Sequence, residues 1–327
     1  MVKRLPSYRA FGLRILLQKV NIFRRCMLNM REQNNADAVH DLRVASRRFR
    51  AASLIFRDTL PPSALIHAER RIRRVRKTAG DIRDGDVQIE FIESVMRKRG
   101  AGRYRTGLER LLLRLSQRRE KRFKRIVAAM DSLDKSKSIP VLLQSIRRSA
   151  SRQYRYRQLP LRNRSAQAIT AALNGLFRFE QFVRQPSAAA ELHRMRIAAK
   201  RLRYVMEIFN PVYKGKLKPF IRTVRSIQDT LGQMHDCDVW LAAIPEFIAD
   251  ERRRTATYFG DTKMFPRIER GMLFLMEYAR TERMKQYRKF LRIWNVAAGE
   301  NFRADVTKLI TPPKTAQRIT IERTAKR

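Results

Sequence analysis

Apolar residues recur at spacings near 3.6 along almost the whole chain, and strand-like alternation bounded by hairpin turns is scarce. The pattern predicts an all-α protein of twelve helical segments: about 7–31, 37–58, 62–78, 84–98, 104–130, 138–157, 162–184, 188–210, 214–231, 236–250, 263–287 and 289–310. Most prolines, among them Pro61, Pro140, Pro160, Pro186, Pro211 and Pro266, fall at segment ends or between segments. Pro219 and Pro245 fall inside; the first is expected to mark a first helical turn, the second to kink or shorten its helix. Beyond Pro312 and Pro313 the apolar period is lost, and residues 311–327 read as a basic tail.

The segments form two sets of six. Val39-His-Asp-Leu-Arg-Val-Ala-Ser-Arg-Arg-Phe-Arg50 returns 153 residues later as Leu192-His-Arg-Met-Arg-Ile-Ala-Ala-Lys-Arg-Leu-Arg203. Downstream, Thr78-Ala-Gly-Asp-Ile-Arg-Asp-Gly-Asp-Val87 returns as Thr230-Leu-Gly-Gln-Met-His-Asp-Cys-Asp-Val239 at an offset of 152. Two ordered matches at nearly one offset indicate an internal duplication, a first repeat over about 7–157 and a second over about 160–310, which commonly places halves about a pseudo-twofold axis. Two separate domains and one composite bundle both fit; the composite is preferred, because matched helices can then face each other.

Both motif helices carry two stripes. At about 100° per residue, Val39, Leu42, Ser46, Phe49, Ser53 and Phe56 share one face, and His40, Arg43, Arg47 and Arg50 share another about 110° away. In the second copy Leu192, Met195, Ala199, Leu202, Met206 and Phe209 are the apolar stripe, with His193, Arg196, Lys200 and Arg203 beside it. One stripe can anchor the helix while the other lines a groove. Each basic row runs roughly 15 Å, enough for several consecutive phosphates and longer than a mononucleotide needs. A basic row on a single helix is usually a solvated face; its recurrence at four matching offsets is what favours a site. His40 and His193 stand near helix N-termini, where backbone NH groups favour anions, although a histidine there can instead pin the preceding loop.

Charge sharpens the picture. The 327 residues carry 73 Lys and Arg against 30 Asp and Glu, a formal +43, with 44% hydrophobic residues. The apolar content suits a folded domain, and the charge calls for an anionic partner. Arginine suits forked contacts to phosphate oxygens. Cys26 and Cys237 make no disulfide framework. No uncharged apolar run reaches 18 residues and the basic start makes a poor signal peptide, so no membrane insertion and a cytoplasmic location are expected. Phosphate-loop, dinucleotide, zinc-protease and nucleophile-elbow motifs are missing, which removes the usual warrants for hydrolysis.

Asp84 and Asp86, matched by Asp236 and Asp238, are the carboxylates that could hold metal or protons. Two residues apart on a helix they point about 200° apart, so an architectural role is preferred, one capping a helix start and the other neutralising a neighbouring cation. No metal and no cofactor is expected. Gly80 and Gly232 are expected to end helices or permit close packing. Arg73 and Arg225 correspond at 152 residues and extend the basic rows; Arg76, Arg222 and Arg14 are weaker candidates.

The two His-x-x-Arg helices and paired Asp-x-Asp-Val segments resemble the signatures of the CHAD family, the conserved histidine α-helical domain, over roughly 7–310. The resemblance implies one composite all-α domain with a basic central groove or channel, inorganic polyphosphate as partner, and association in some organisms with polyphosphate granules. It implies that His40 and His193 are the namesake histidines, that Arg43, Arg47, Arg50, Arg196, Lys200 and Arg203 bind phosphate, and that Asp84 and Asp236 organise the cluster. The expected function is non-catalytic polyphosphate binding. RNA or DNA is the alternative polyanion, and a polyphosphate-processing enzyme the third class.

Overall fold

The computed structural model describes residues 5–33, 35–151, 160–299 and 301–311. The expected tail beyond 311 and the end of the 138–157 segment lie outside them. Among the described residues there are ten α-helices and no strand. The first half holds α1 (Tyr8–Gln33), α2 (Ala36–Ile55), α3 (Pro62–Met96), α4 (Arg105–Lys135) and α5 (Ser138–Ser151). The second holds α6 (Leu161–Phe177), α7 (Ala189–Phe209), α8 (Lys218–Phe259), α9 (Phe265–Gly299) and α10 (Phe302–Ile310).

Twelve expected segments become ten helices because two pairs fuse. The helix α3 runs through Gly80, and α8 runs through both Gly232 and Pro245. A glycine inside a helix costs only about 1 kcal/mol relative to alanine, and tertiary packing along both flanks outweighs it. The glycines therefore end neither helix, and Pro245 does not shorten α8. Pro219 does sit in the first turn of α8. The break expected near 288 is also absent: α9 carries no helix breaker there and continues to Gly299.

Both apolar stripes of the motif helices are buried from end to end, Val39 to Phe56 on one and Leu192 to Phe209 on the other. They feed one core shared by the halves, in which Leu16, Phe49 and Ile72 join Met206, Phe290 and Val306. A second core joins Ile92 and Leu111 of the first half to Trp240, Ile244 and Met272 of the second. At 25 cal/mol per Å² of apolar surface, each fully buried Leu or Phe contributes about 1.5–3 kcal/mol.

Equivalent residues of the two halves meet each other. The rings of Phe56 and Phe209, 153 residues apart in sequence, lie edge to face with centroids at 5.8 Å. Gly107 of α4 and Gly271 of α9, 164 apart, cross so closely that a Cβ on Gly107 would stand 2.2 Å from the Ile268 carbonyl oxygen and 2.8 Å from Gly271 Cα. Ion pairs repeat too: Arg119 of α4 holds Asp86 at 2.5 Å, and Arg283 of α9, also 164 residues on, holds Asp238. The helices α2 and α7 pack on one another, which brings the two motif helices side by side.

Candidate functional site

With their apolar stripes in the core, α2 and α7 turn their basic rows toward the same space. The electrostatic field of the rows crosses the halves. Lys200 of α7 is pushed down to about 7, first by burial and then by Arg47, Arg196, Arg43 and Arg203, two of which belong to the other half. Arg43 of α2 is held below the usual guanidinium range by burial, with Asp84 opposing and Arg47, Arg196 and Arg83 reinforcing the shift. Five cations, Arg43, Arg47, Arg196, Lys200 and Arg203, thus form one cluster fed by both copies. The Nε atoms of Arg47 and Arg203 are buried without a hydrogen-bond partner, so part of this charge is desolvated.

The fused helices explain how the cluster is held. Arg43 Nη2 donates to Asp84 Oδ1 at 2.9 Å. Its Nε lies 3.9 Å from where a Cβ of Gly80 would be, and Arg196 Nε lies 3.6 Å from the corresponding point on Gly232. The two glycines are flat places on α3 and α8 across which the two arginines lie. Asp84 and Asp86 point opposite ways along α3, the first to Arg43 and the second, buried, to Arg119. Asp238 does the same structural work for α9 through Arg283. All four aspartates sit inside helices, so none caps a helix start. Asp236 is raised above the usual carboxylate range by burial, with Arg196 opposing and Asp84 adding to the shift.

A groove of about 650 Å³ opens beside the cluster. Its lining includes the charged residues Arg43, Asp84, Lys98, Arg196, Lys200, Asp236, Glu282 and Lys285, the imidazoles of His193 and His235, and the apolar Phe91, Val239, Trp240 and Tyr278. His193 Nδ1 faces His235 Nδ1 at 3.0 Å across it. Burial lowers both rings, His235 to about 4, with Arg196 the next cause for each. His193 therefore bonds to another side chain and does not pin its preceding loop.

His40 is exposed on α2 and stands outside the lining of this groove, although it is the fifth residue of its helix as His193 is of α7. Arg50, Arg73 and Arg76 sit together at the far end of the first-half row, where burial, then Arg50 and Arg73, hold Arg76 below the usual guanidinium range and Glu69 opposes them. At the matching end Arg203 and Arg225 are met by Glu207, 3.8 and 3.7 Å away, and Arg48 reaches it across the halves at 3.8 Å. Arg14 lies over the Phe11 ring on α1, and Arg222 is exposed on α8. His235, Lys98 and Lys285 also line the groove. His235 was legible only as a departure from its counterpart Arg83, and the two lysines belong to no repeated motif.

Among the described residues no group of three or more His, Cys, Asp or Glu is placed to hold a metal, and no helix is long and apolar enough to cross a membrane.

Comparisons with known proteins agree with this architecture. The model of the CHAD domain matches residues 14–245. The fold is similar to the crystal structure of the CHAD domain from the plant Ricinus communis, with a TM-score of 0.66 and 20% identity over 88% of this chain and 92% of that one. It is similar also to PptA from Streptomyces chartreusis, with a TM-score of 0.58 and 16% identity over 89% of this chain and 100% of that one. No curated protein matches the chain.

Proposed function

From the premise that this chain belongs to the CHAD domain family, we propose that it binds inorganic polyphosphate without cleaving it, through the cationic cluster between α2 and α7. One observation carries the reading: Lys200 of the second half lies in the field of Arg47 and Arg43 of the first. Like charges gathered this closely oppose folding, and a linear phosphate chain is the ligand that relieves them all at once. The row at each helix matches several phosphates, and release of condensed counterions adds affinity that falls steeply with salt. Phe56 meeting Phe209 and Gly107 meeting Gly271 are contacts of the kind a pseudo-twofold axis makes, and they support one composite domain over 7–310 with a basic groove at its centre.

Cleavage would need a nucleophile or activated water placed beside the phosphates, commonly with a metal clamp. The cluster supplies donors and charge, and its two histidines are occupied with each other. Binding alone suits attachment to polyphosphate bodies in cells.

The test is a titration of the pure chain with long-chain polyphosphate, orthophosphate and RNA at about 150 mM salt, followed by gel analysis of polyphosphate length with and without Mg²⁺. Tight binding of long polyphosphate alone, with its length preserved, supports the reading. RNA displacing polyphosphate at fewer phosphate equivalents favours a nucleic-acid binder, and shortening of the chain favours an enzyme.

A further inference from the structure

The duplication is broken along one wall of the groove. Under the 152-residue and 164-residue correspondences, Arg83, Arg114, Arg118 and Arg122 of the first half stand where the second has His235, Tyr278, Glu282 and Gln286, and Gln88 stands where it has Trp240. Four arginines have given way to an imidazole, a phenol, a carboxylate and an amide. The second-half residues all line the 650 Å³ groove. On the first-half side Arg114 and Arg118 line hollows of about 80 and 100 Å³.

That wall is wrong for a bare phosphate chain. Phe91 stacks on Trp240 with centroids at 5.9 Å, and Tyr278 meets Phe91 edge-on at 5.8 Å. Beside them Gln286, only 7% exposed, donates through Nε2 to Glu282 Oε1 at 2.6 Å, while its Oε1 is buried with no hydrogen-bond partner. The other oxygen of Glu282 lies 3.5 Å from Lys285 Nζ. Phosphate oxygens only accept hydrogen bonds at neutral pH, so they leave the Gln286 oxygen unsatisfied and are repelled by the Glu282 carboxylate. An unsatisfied buried acceptor next to a carboxylate and an aromatic wall asks for a flat ring bearing N–H donors. The same cavity is lined by Arg43, Arg196 and Lys200, which ask for phosphate. A pocket of this size holds one small molecule.

We propose that this groove binds a nucleoside polyphosphate with an amino-bearing base, the base against Tyr278 and Phe91 with its amino group toward Glu282 and Gln286, and the phosphates over Arg43, Arg196 and Lys200. The proposal rests on the reading that the cluster binds phosphate. It adds a second kind of ligand, one that enters the groove by its base and competes with a polyphosphate chain for the same cations.

Calorimetric titration of the full chain with ATP and with inorganic tripolyphosphate, which carries three phosphates, one more ionisable oxygen and no base, tests it. ATP should bind tighter by on the order of tenfold, the scale of one stacked and hydrogen-bonded base. Glu282→Gln should remove that preference, and tripolyphosphate should bind it as well as or better than the unaltered chain. Tyr278→Ala should also abolish the preference; if it misfolds by circular dichroism, Glu282→Gln alone decides. Equal affinity for ATP and tripolyphosphate, or equal losses for both in Glu282→Gln, overturns the proposal while leaving polyphosphate binding intact. If neither tripolyphosphate nor long-chain polyphosphate binds, the reading beneath it falls as well.

Discussion

The Nδ1 atoms of His193 and His235 lie 3.0 Å apart, so one ring donates and the other accepts, and the pair holds at least one neutral imidazole. The lowered titration of both rings agrees with this, His235 reaching about 4 under burial. Near neutral pH these histidines are therefore not the source of variable charge. That role falls to Lys200, pushed down to about 7 by burial and its arginine neighbours.

A bound phosphate chain would restore the ordinary basicity of Lys200, so binding at neutral pH takes up protons and affinity rises as pH falls from 8 toward 6. Titrations in buffers of different ionisation enthalpy should show this uptake. Lys200→Arg, charged throughout, should flatten the profile. An equally steep profile in that variant would assign the proton to another group.

The same shift affects stability in the absence of ligand. The folded-state value of Lys200, about 7, lies below its ordinary 10.5, so the unfolded chain binds the extra proton between those values. Stability should therefore rise with pH across about 7 to 10.5, and the penalty is fully present below 7. Lys200→Met should melt at a higher temperature than the unaltered chain below pH 7, with the difference shrinking as pH rises. A constant difference would show that packing is responsible instead.

Arg43→Ala with Arg196→Ala removes one cation from each half of the cluster. Charge-assisted hydrogen bonds contribute about 1.5–3 kcal/mol each, so the pair should lose on the order of a hundredfold or more in polyphosphate affinity. The control removes Arg288 and Arg292, both exposed on α9. Equal losses in the two double variants would indicate diffuse attraction by net charge.

Gly80 and Gly232 separate packing from helix propensity. A Cβ at either meets only ordinary contacts, 3.9 Å to Arg43 Nε and 3.6 Å to Arg196 Nε. Gly80→Ala should stabilise α3 by up to about 1 kcal/mol in a denaturant titration and leave affinity near its original value. Gly80→Leu should keep the fold and weaken binding by displacing Arg43. Unchanged affinity in the leucine variant would remove this glycine from the site.

Gly107 and Gly271 have no such room. Gly107→Ala sets a methyl group 2.2 Å from a backbone carbonyl and must push α4 and α9 apart, which should cost about 1–3 kcal/mol or more. Thermal melting of each single variant and of the double should show the two losses to be less than additive, since one displacement serves both.

Much of this was legible in the sequence. Every residue of the two duplicated stripes is buried, because burial follows helical period directly; Ala45 and Ala52 of α2 and Tyr204, Val205 and Ile208 of α7 are buried beside them and lie off the stripes. The helix count was not legible. Gly80, Gly232 and Pro245 are local breakers, and only their packing against α2, α7 and α9 shows why α3 and α8 continue through them. Asp84, Asp86 and Asp238 each pair with an arginine and none of the four aspartates caps a helix, because α3 and α8 run on through the places where Gly80 and Gly232 predict a break. The sequence offers His193 a loop or an anion as partner, and its actual neighbour, His235, lies 42 residues away on another helix. The aromatic and amide wall was invisible, since Tyr278, Glu282 and Gln286 belong to no motif and acquire meaning only opposite α3 and α8.

The most direct measurement is the crystal structure of the chain grown with long-chain polyphosphate. Continuous density for successive phosphates between α2 and α7, touching Arg43 or Arg47 on one side and Arg196 or Lys200 on the other, is the expected result. Phosphates found on outer helix faces, with the α2–α7 space empty, would contradict the account.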